Sequence, residues 1–122
     1  METRKNQSFL KRLRFALTGI AIGLRAERSV RTQALVLVAV LVALAIVRPA
    51  PFWWALVILA SSAVLAAELF NTAIEHLADH LHPDLHPEIR LVKDCAAAGV
   101  LISSAGAVGV AVALLTALLH RT

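Results

Sequence analysis

The sequence predicts an all-α membrane protein, an N-terminal interfacial amphipathic helix followed by three transmembrane helices. Three observations lead there. The 122 residues are 59% hydrophobic with a mean hydropathy of +0.77, too apolar for a soluble domain of this length. The excess is gathered into three apolar runs, at 34–47, 52–67 and 95–119. Basic residues crowd the beginning of the chain, at positions 4, 5, 11, 12, 14, 25, 28 and 31. Little is left for a soluble unit, so the chain reads as a single membrane-embedded domain over 1–122.

Residues 8–24 read as the interfacial helix. Phe9, Leu10, Leu13, Leu17, Ile20 and Leu24 recur at three- and four-residue steps, while Lys11, Arg12 and Arg14 cover much of the remaining surface. A solvated cap packed on the bundle uses the same pattern, and the two roles are compatible. The segment is not a cleavable signal peptide, because it runs into Arg25, Glu27, Arg28 and Arg31 and not into a clean apolar core.

The first span, about 30–48, reaches bilayer length by recruiting residues 30–32. Pro49 and Pro51 end it and make the turn to the second span short and rigid. The second span covers about 52–80, with Trp53 and Trp54 where indole rings anchor a helix at the interface. The run His82-Pro83-Asp84-Leu85-His86-Pro87 then interrupts the helix. Pro87 and Glu88 suit the opening of the next, whose spanning part covers about 90–119. That span carries Gly99, Ser103, Gly106, Gly109 and Ala113, small residues that let helices approach closely. In a protein of three spans this face suits packing between copies, which predicts a homo-oligomer. Cys95 is the only cysteine, so no internal disulfide forms, and it is expected to be a small packing residue.

Positive charge favours the cytoplasmic side, which places the N-terminus inside and makes the protein multi-pass. The formal charge of +4 then serves topology and attraction to anionic lipid. No aromatic interleaving argues for nucleic acid as a partner.

Chemistry concentrates at the end of the second span. Glu68, Asn71, Glu75 and Asp79 share one stripe of a helix, straight after an uncharged run. Carboxylates at the edge of a membrane are costly unless they hold a cation, move a proton or pair with a base. The plainest alternative is pairing with Arg25, Arg28 or Lys93 to lock helices together. Hard oxygen donors in this array suit Mg²⁺, which takes one or two carboxylates and completes its shell with water and phosphate. A poorly hydrated carboxylate also suits a general base. Lys93 and Asp94 head the third span from the same side, where a lysine holds phosphate as a point charge. Glu27, before the first span, extends the set of acids.

His76 and His80, with His82 and His86, offer zinc-like spacing, but no cysteine joins them and a surface role is expected. Ser61, Ser62 and Thr72 are expected to satisfy helix carbonyls. Phosphate-binding loops rich in glycine, dinucleotide fingerprints and protein-kinase signatures are all absent from the sequence. A nucleotide site must therefore be built from helix ends and polar side chains. The acids could instead form the ion path of a small cation transporter, but apart from Glu68 and its neighbours the spans are free of acids.

The motif Glu68-Leu-Phe-Asn71-Thr72-Ala73-Ile74-Glu75-x-x-x-Asp79, with His86-Pro87 and Lys93-Asp94 behind it, resembles the prokaryotic diacylglycerol kinase family, which also contains undecaprenol kinases. The resemblance extends from Gly19 and the segment Glu27-Arg28-x-x-Arg31 into the third span. It implies a homotrimer in the bacterial cytoplasmic (inner) membrane, with active sites between subunits. It implies transfer of the ATP γ-phosphate to a lipid hydroxyl, with Mg²⁺ as the cofactor. By the same resemblance Glu68 is the general base, and Glu27 and Glu75 hold the metal. Asn71, Asp79, Lys93 and Asp94 complete the polar site, while Asp84, Leu85 and His86 line the adenosine side. Diacylglycerol is the expected acceptor, with undecaprenol the alternative. His76, His80 and the basic run Arg28-Ser29-Val30-Arg31 depart from the best-known members of that family.

Overall fold

A computed structural model describes residues 6–121; Arg4 and Lys5, counted above in the basic segment, lie outside them. The described residues form four helices, α1 (Phe9–Ala26), α2 (Arg28–Val47), α3 (Pro51–Leu81) and α4 (Pro87–Leu119). Helices α2, α3 and α4 are each long and apolar enough to cross a membrane. The principal contact is between α3 and α4, α2 packs on α3, and α1 touches both α2 and α3.

Each boundary has a local cause. Helices α1 and α2 are separated by one residue, Glu27, whose backbone is extended at φ −108 and ψ 122. The Glu27 N–H donates to Gly23 O, and the Arg31 guanidinium donates to the carbonyls of Leu24 and Arg25 at 3.3 and 2.8 Å. Three carbonyls left open at the end of α1 are satisfied this way, so α1 continues two residues past the expected limit at 24. Helix α2 stops at Arg48, which turns left-handed at φ 51 and returns its N–H to Leu44 O. Pro51 then fills the first position of α3, where its missing N–H is harmless. Helix α4 begins at Pro87, as expected, and His86 caps it by accepting from Glu88 N at 3.2 Å.

Helix α3 has 31 residues and is roughly 46 Å long, against a hydrocarbon layer of about 30 Å. Its apolar first half and its acid-bearing second half cannot both be immersed at ordinary tilt. Buried apolar side chains are few: Val30 and Leu44 of α2, and Val57, Val64 and Ala78 of α3. No residue of α4 is buried, so the surface of this helix is left for lipid or for another chain.

Two packing expectations are corrected. Cys95 is exposed, because the face of α4 that meets α3 carries Lys93 and Ala96 at that level. Ser61, Ser62 and Thr72 make no hydrogen bond to a helix carbonyl; Thr18, Thr32, Ser103 and Thr116 do so instead. Ser61 and Thr72 line grooves between helices.

Candidate functional site

The polar residues gather at the end of the bundle where α1 meets α2 and α3 meets α4. They fall into two groups along α3. Helical rise puts Asp79 about 16 Å beyond Glu68, so no single ion or carboxylate pair spans the stripe.

The first group surrounds Glu68. This residue is 6% exposed and follows Val64 by one turn on the buried face of α3. It has no hydrogen-bond or ion-pair partner among the described residues. The plainest alternative, pairing that locks helices together, holds for Asp79, whose partner is Lys93 of α4, and not for Glu68 or Glu75, since neither Arg25 nor Arg28 forms an ion pair with a described acid. Asn71 lies three residues on, and its carbonyl Oδ1 is buried without a partner. Buried polar atoms are nearly always paired, so the unpartnered Asn71 oxygen, one turn from an unpaired Glu68, marks a place built for something else. Glu75 is half-buried and likewise unpaired among the described residues.

Glu27 reaches this group from the α1–α2 junction. Its Oε1 lies 3.3 Å from His76 Nε2, and an ionised carboxylate can only accept, so the imidazole N–H donates. The contact brings Glu27 to α3 one residue from Glu75. The sequence did not flag His76 for this role, because nothing local in a helix predicts which junction will lie against it.

An apolar groove of about 590 Å³ runs between α1 and α3, walled by Gly19, Ile20, Gly23, Leu69, Thr72, Ala73 and His76 among others. Leu69 and Thr72 follow Glu68 by one and four residues, and His76 stands where the groove meets Glu27.

The second group lines a cavity of about 300 Å³ at the α3–α4 connection. Its walls include Asp79, His82, Asp84, Leu85, His86, Arg90, Lys93 and Asp94. Lys93 Nζ donates to Asp79 Oδ1 at 2.5 Å, so the lysine is held across the mouth of the helical hairpin. Asp94 pairs with Arg90 at 3.8 Å, one turn earlier on α4. Arg90 is a wall residue the sequence reading passed over, although its i,i+4 relation to Asp94 was visible. The rings of His82 and His86 lie 5.2 Å apart, and His82 Nδ1 is 3.3 Å from Asp84 O. Among the described residues no three histidines, cysteines or acids converge as a protein-only metal site. Zinc-like spacing in the histidines therefore gives no cluster.

The donors present do fit a divalent cation shared with a phosphate ligand. Glu27 and Glu75 are carboxylates on adjoining elements, and Asn71 offers an unused buried carbonyl oxygen. These are hard oxygen ligands, too few to enclose a cation alone, which is the usual situation for Mg²⁺ at phosphates.

Residues 14–115 match the family model described as prokaryotic diacylglycerol kinase. A diacylglycerol kinase of Synechocystis sp. is 31% identical over 102 residues, covering 83% of this chain and 58% of that protein. An undecaprenol kinase of Bacillus subtilis is 33% identical over 94 residues, covering 77% of this chain and 76% of that protein. The matched part of the chain thus spans little more than half of the first relative.

Proposed function

The chain belongs to the prokaryotic diacylglycerol kinase family, and from that premise we propose that it transfers the γ-phosphate of ATP to the hydroxyl of diacylglycerol, giving phosphatidic acid. Glu68 is the observation that carries this reading. Glu68 lies on the buried face of α3 with no partner among the described residues, and service as a general base explains an acid kept there, just before the α3 residues that line the groove.

In the proposed step Glu68 accepts the proton of the lipid hydroxyl. The hydroxyl oxygen forms the new bond to the γ-phosphorus, the bridging bond to the β-phosphate breaks, and ADP leaves. Lys93, fixed by Asp79, offers its charge to the phosphates. Asp84, Leu85 and His86 form the wall on which the adenosine rests. Glu27 and Glu75 would hold Mg²⁺, with Asn71 and Asp94 completing the polar surroundings. The metal supplies charge neutralisation on the transferred phosphate.

The groove between α1 and α3 takes the acceptor's apolar tail beside Glu68. Helix α1, with Phe9, Leu10, Leu13 and Leu17 exposed beside its basic residues, lies in the inner interface of the cytoplasmic membrane, with the N-terminus inside. A homotrimer with sites between subunits is the proposed assembly. In support, β-carbons built on Gly99, Gly106 and Gly109 meet nothing within 4 Å, so the small-residue face of α4 is unused within the chain.

Undecaprenol is the second acceptor this chemistry admits, favoured by the Bacillus relative at comparable identity. Purified protein in mixed micelles, given γ-labelled Mg-ATP with each lipid separately, tests both. Label in phosphatidic acid that disappears in Glu68→Gln supports the first acceptor. Label in undecaprenyl phosphate alone assigns the second. A well-assembled protein that labels neither lipid would reopen cation transport.

A further inference from the structure

We propose that His76 is a positioning residue for Glu27. Its Nε2–H holds the Glu27 carboxylate against α3 beside Glu75, in readiness for the nucleotide-bound cation. This rests on the lipid-kinase reading and on the role given there to Glu27.

Glu27 is poorly restrained by its own segment. It is the single non-helical residue between α1 and α2, and its side chain caps neither helix. The natural local partner, Arg31 one turn later, is turned back onto the carbonyls of Leu24 and Arg25. Arg25 and Arg28 form no ion pair with it. His76, at 3.3 Å, is the only described residue within ion-pair distance of this carboxylate. The contact joins positions 49 residues apart, and it is the one side-chain hydrogen bond found between the α1–α2 junction and α3 among the described residues.

The pair has no large part in stability. His76 and Glu27 side chains are 67% and 31% exposed, and exposed pairs contribute little to folding. What the contact supplies is direction. A glutamate on a one-residue hinge samples many rotamers, and a donor from a rigid helix selects those that face α3. Partners of this kind beyond the ligands themselves typically change metal affinity by 10–100-fold.

Side-chain reach gives a selective test. The amide nitrogen of Gln sits near the place of His Nε2, whereas that of Asn, one methylene shorter, does not extend to Glu27. Binding of Mn²⁺ with a non-hydrolysable ATP analogue would be followed by electron paramagnetic resonance on purified protein in mixed micelles. The Mg²⁺ dependence of lipid phosphorylation would be recorded alongside. His76→Asn is expected to weaken Mn²⁺ binding about tenfold and to raise the Mg²⁺ requirement equally, with the lipid KM unchanged. His76→Gln should restore most of the affinity, and in a Glu27→Gln background His76→Asn should change nothing further. Equal binding by wild type and His76→Asn overturns the inference while leaving the kinase reading intact. So does a loss in His76→Gln as large as in His76→Asn. Wild-type protein that phosphorylates neither lipid overturns the kinase reading and this inference with it.

Discussion

Gly23 of α1 and Leu69 of α3 meet so closely that a methyl group on Gly23 would lie 2.7 Å from Leu69 Cδ2. Leu69 follows Glu68 directly, so this contact sets how near α1 comes to the candidate base. The atom that must yield is the end of a flexible side chain. Gly23→Ala is therefore expected to cost about 1 kcal/mol as Leu69 changes rotamer. Gly23→Val should cost about 2–3 kcal/mol and push α1 away from α3. Thermal unfolding in detergent, with the Leu69→Ala double variants, checks this. If Leu69→Ala fails to rescue Gly23→Val, the two helices are not limited by this contact.

Lys93 and Asp79 are expected to fail unequally. Lys93→Met removes the charge offered to the phosphates and should lower kcat/KM about 100-fold, whereas Asp79→Asn leaves the charge in place but unheld and should cost about tenfold. Neither change should shift unfolding by more than about 1 kcal/mol, since the Asp79 side chain is 63% exposed. Steady-state kinetics of the two single variants and the double variant decide it. Fully additive losses would show that Asp79 does not act through Lys93.

Arg31 closes α1 from the next helix. Arg31→Leu removes both bonds to the carbonyls of Leu24 and Arg25, at a cost of about 1 kcal/mol. The loss should be local: faster amide hydrogen exchange across residues 22–28, with α3 unaffected. Exchange that rises equally in α3 would mean the cap supports the whole bundle and not the end of one helix.

Helices and their ends were legible because their signals are local. Apolar runs give the spans, and Pro51 and Pro87 open α3 and α4 from their first helical positions. The acid stripe was legible for the same reason, since 68, 71, 75 and 79 share a face by periodicity alone. Contacts between distant segments were not. Nothing near His76 announces Glu27, and nothing near Gly23 announces Leu69, because each pairing depends on how a one-residue hinge at Glu27 folds α1 back across α3. The left-handed turn at Arg48 was hidden too. A proline at the next position signals that the helix ends, without saying which way the chain leaves.

Glu68 offers the sharpest opposition between folding and function. The residue is 6% exposed, and its carboxylate has no partner among the described residues. Glu68→Gln preserves the volume and removes the charge. It is expected to raise stability by about 1–3 kcal/mol while abolishing transfer to the lipid, because an amide cannot accept the hydroxyl proton. Glu68→Asp keeps the acid but withdraws it by one methylene, so it should retain assembly and lose most of the rate. Thermal unfolding of both variants beside labelled-phosphate transfer makes the comparison. A Glu68→Gln protein that is less stable than wild type would mean that the carboxylate holds a structural partner, and burial would then no longer argue for a base. A variant that is more stable and inactive would place Glu68 among side chains kept at the expense of the fold for the sake of the reaction.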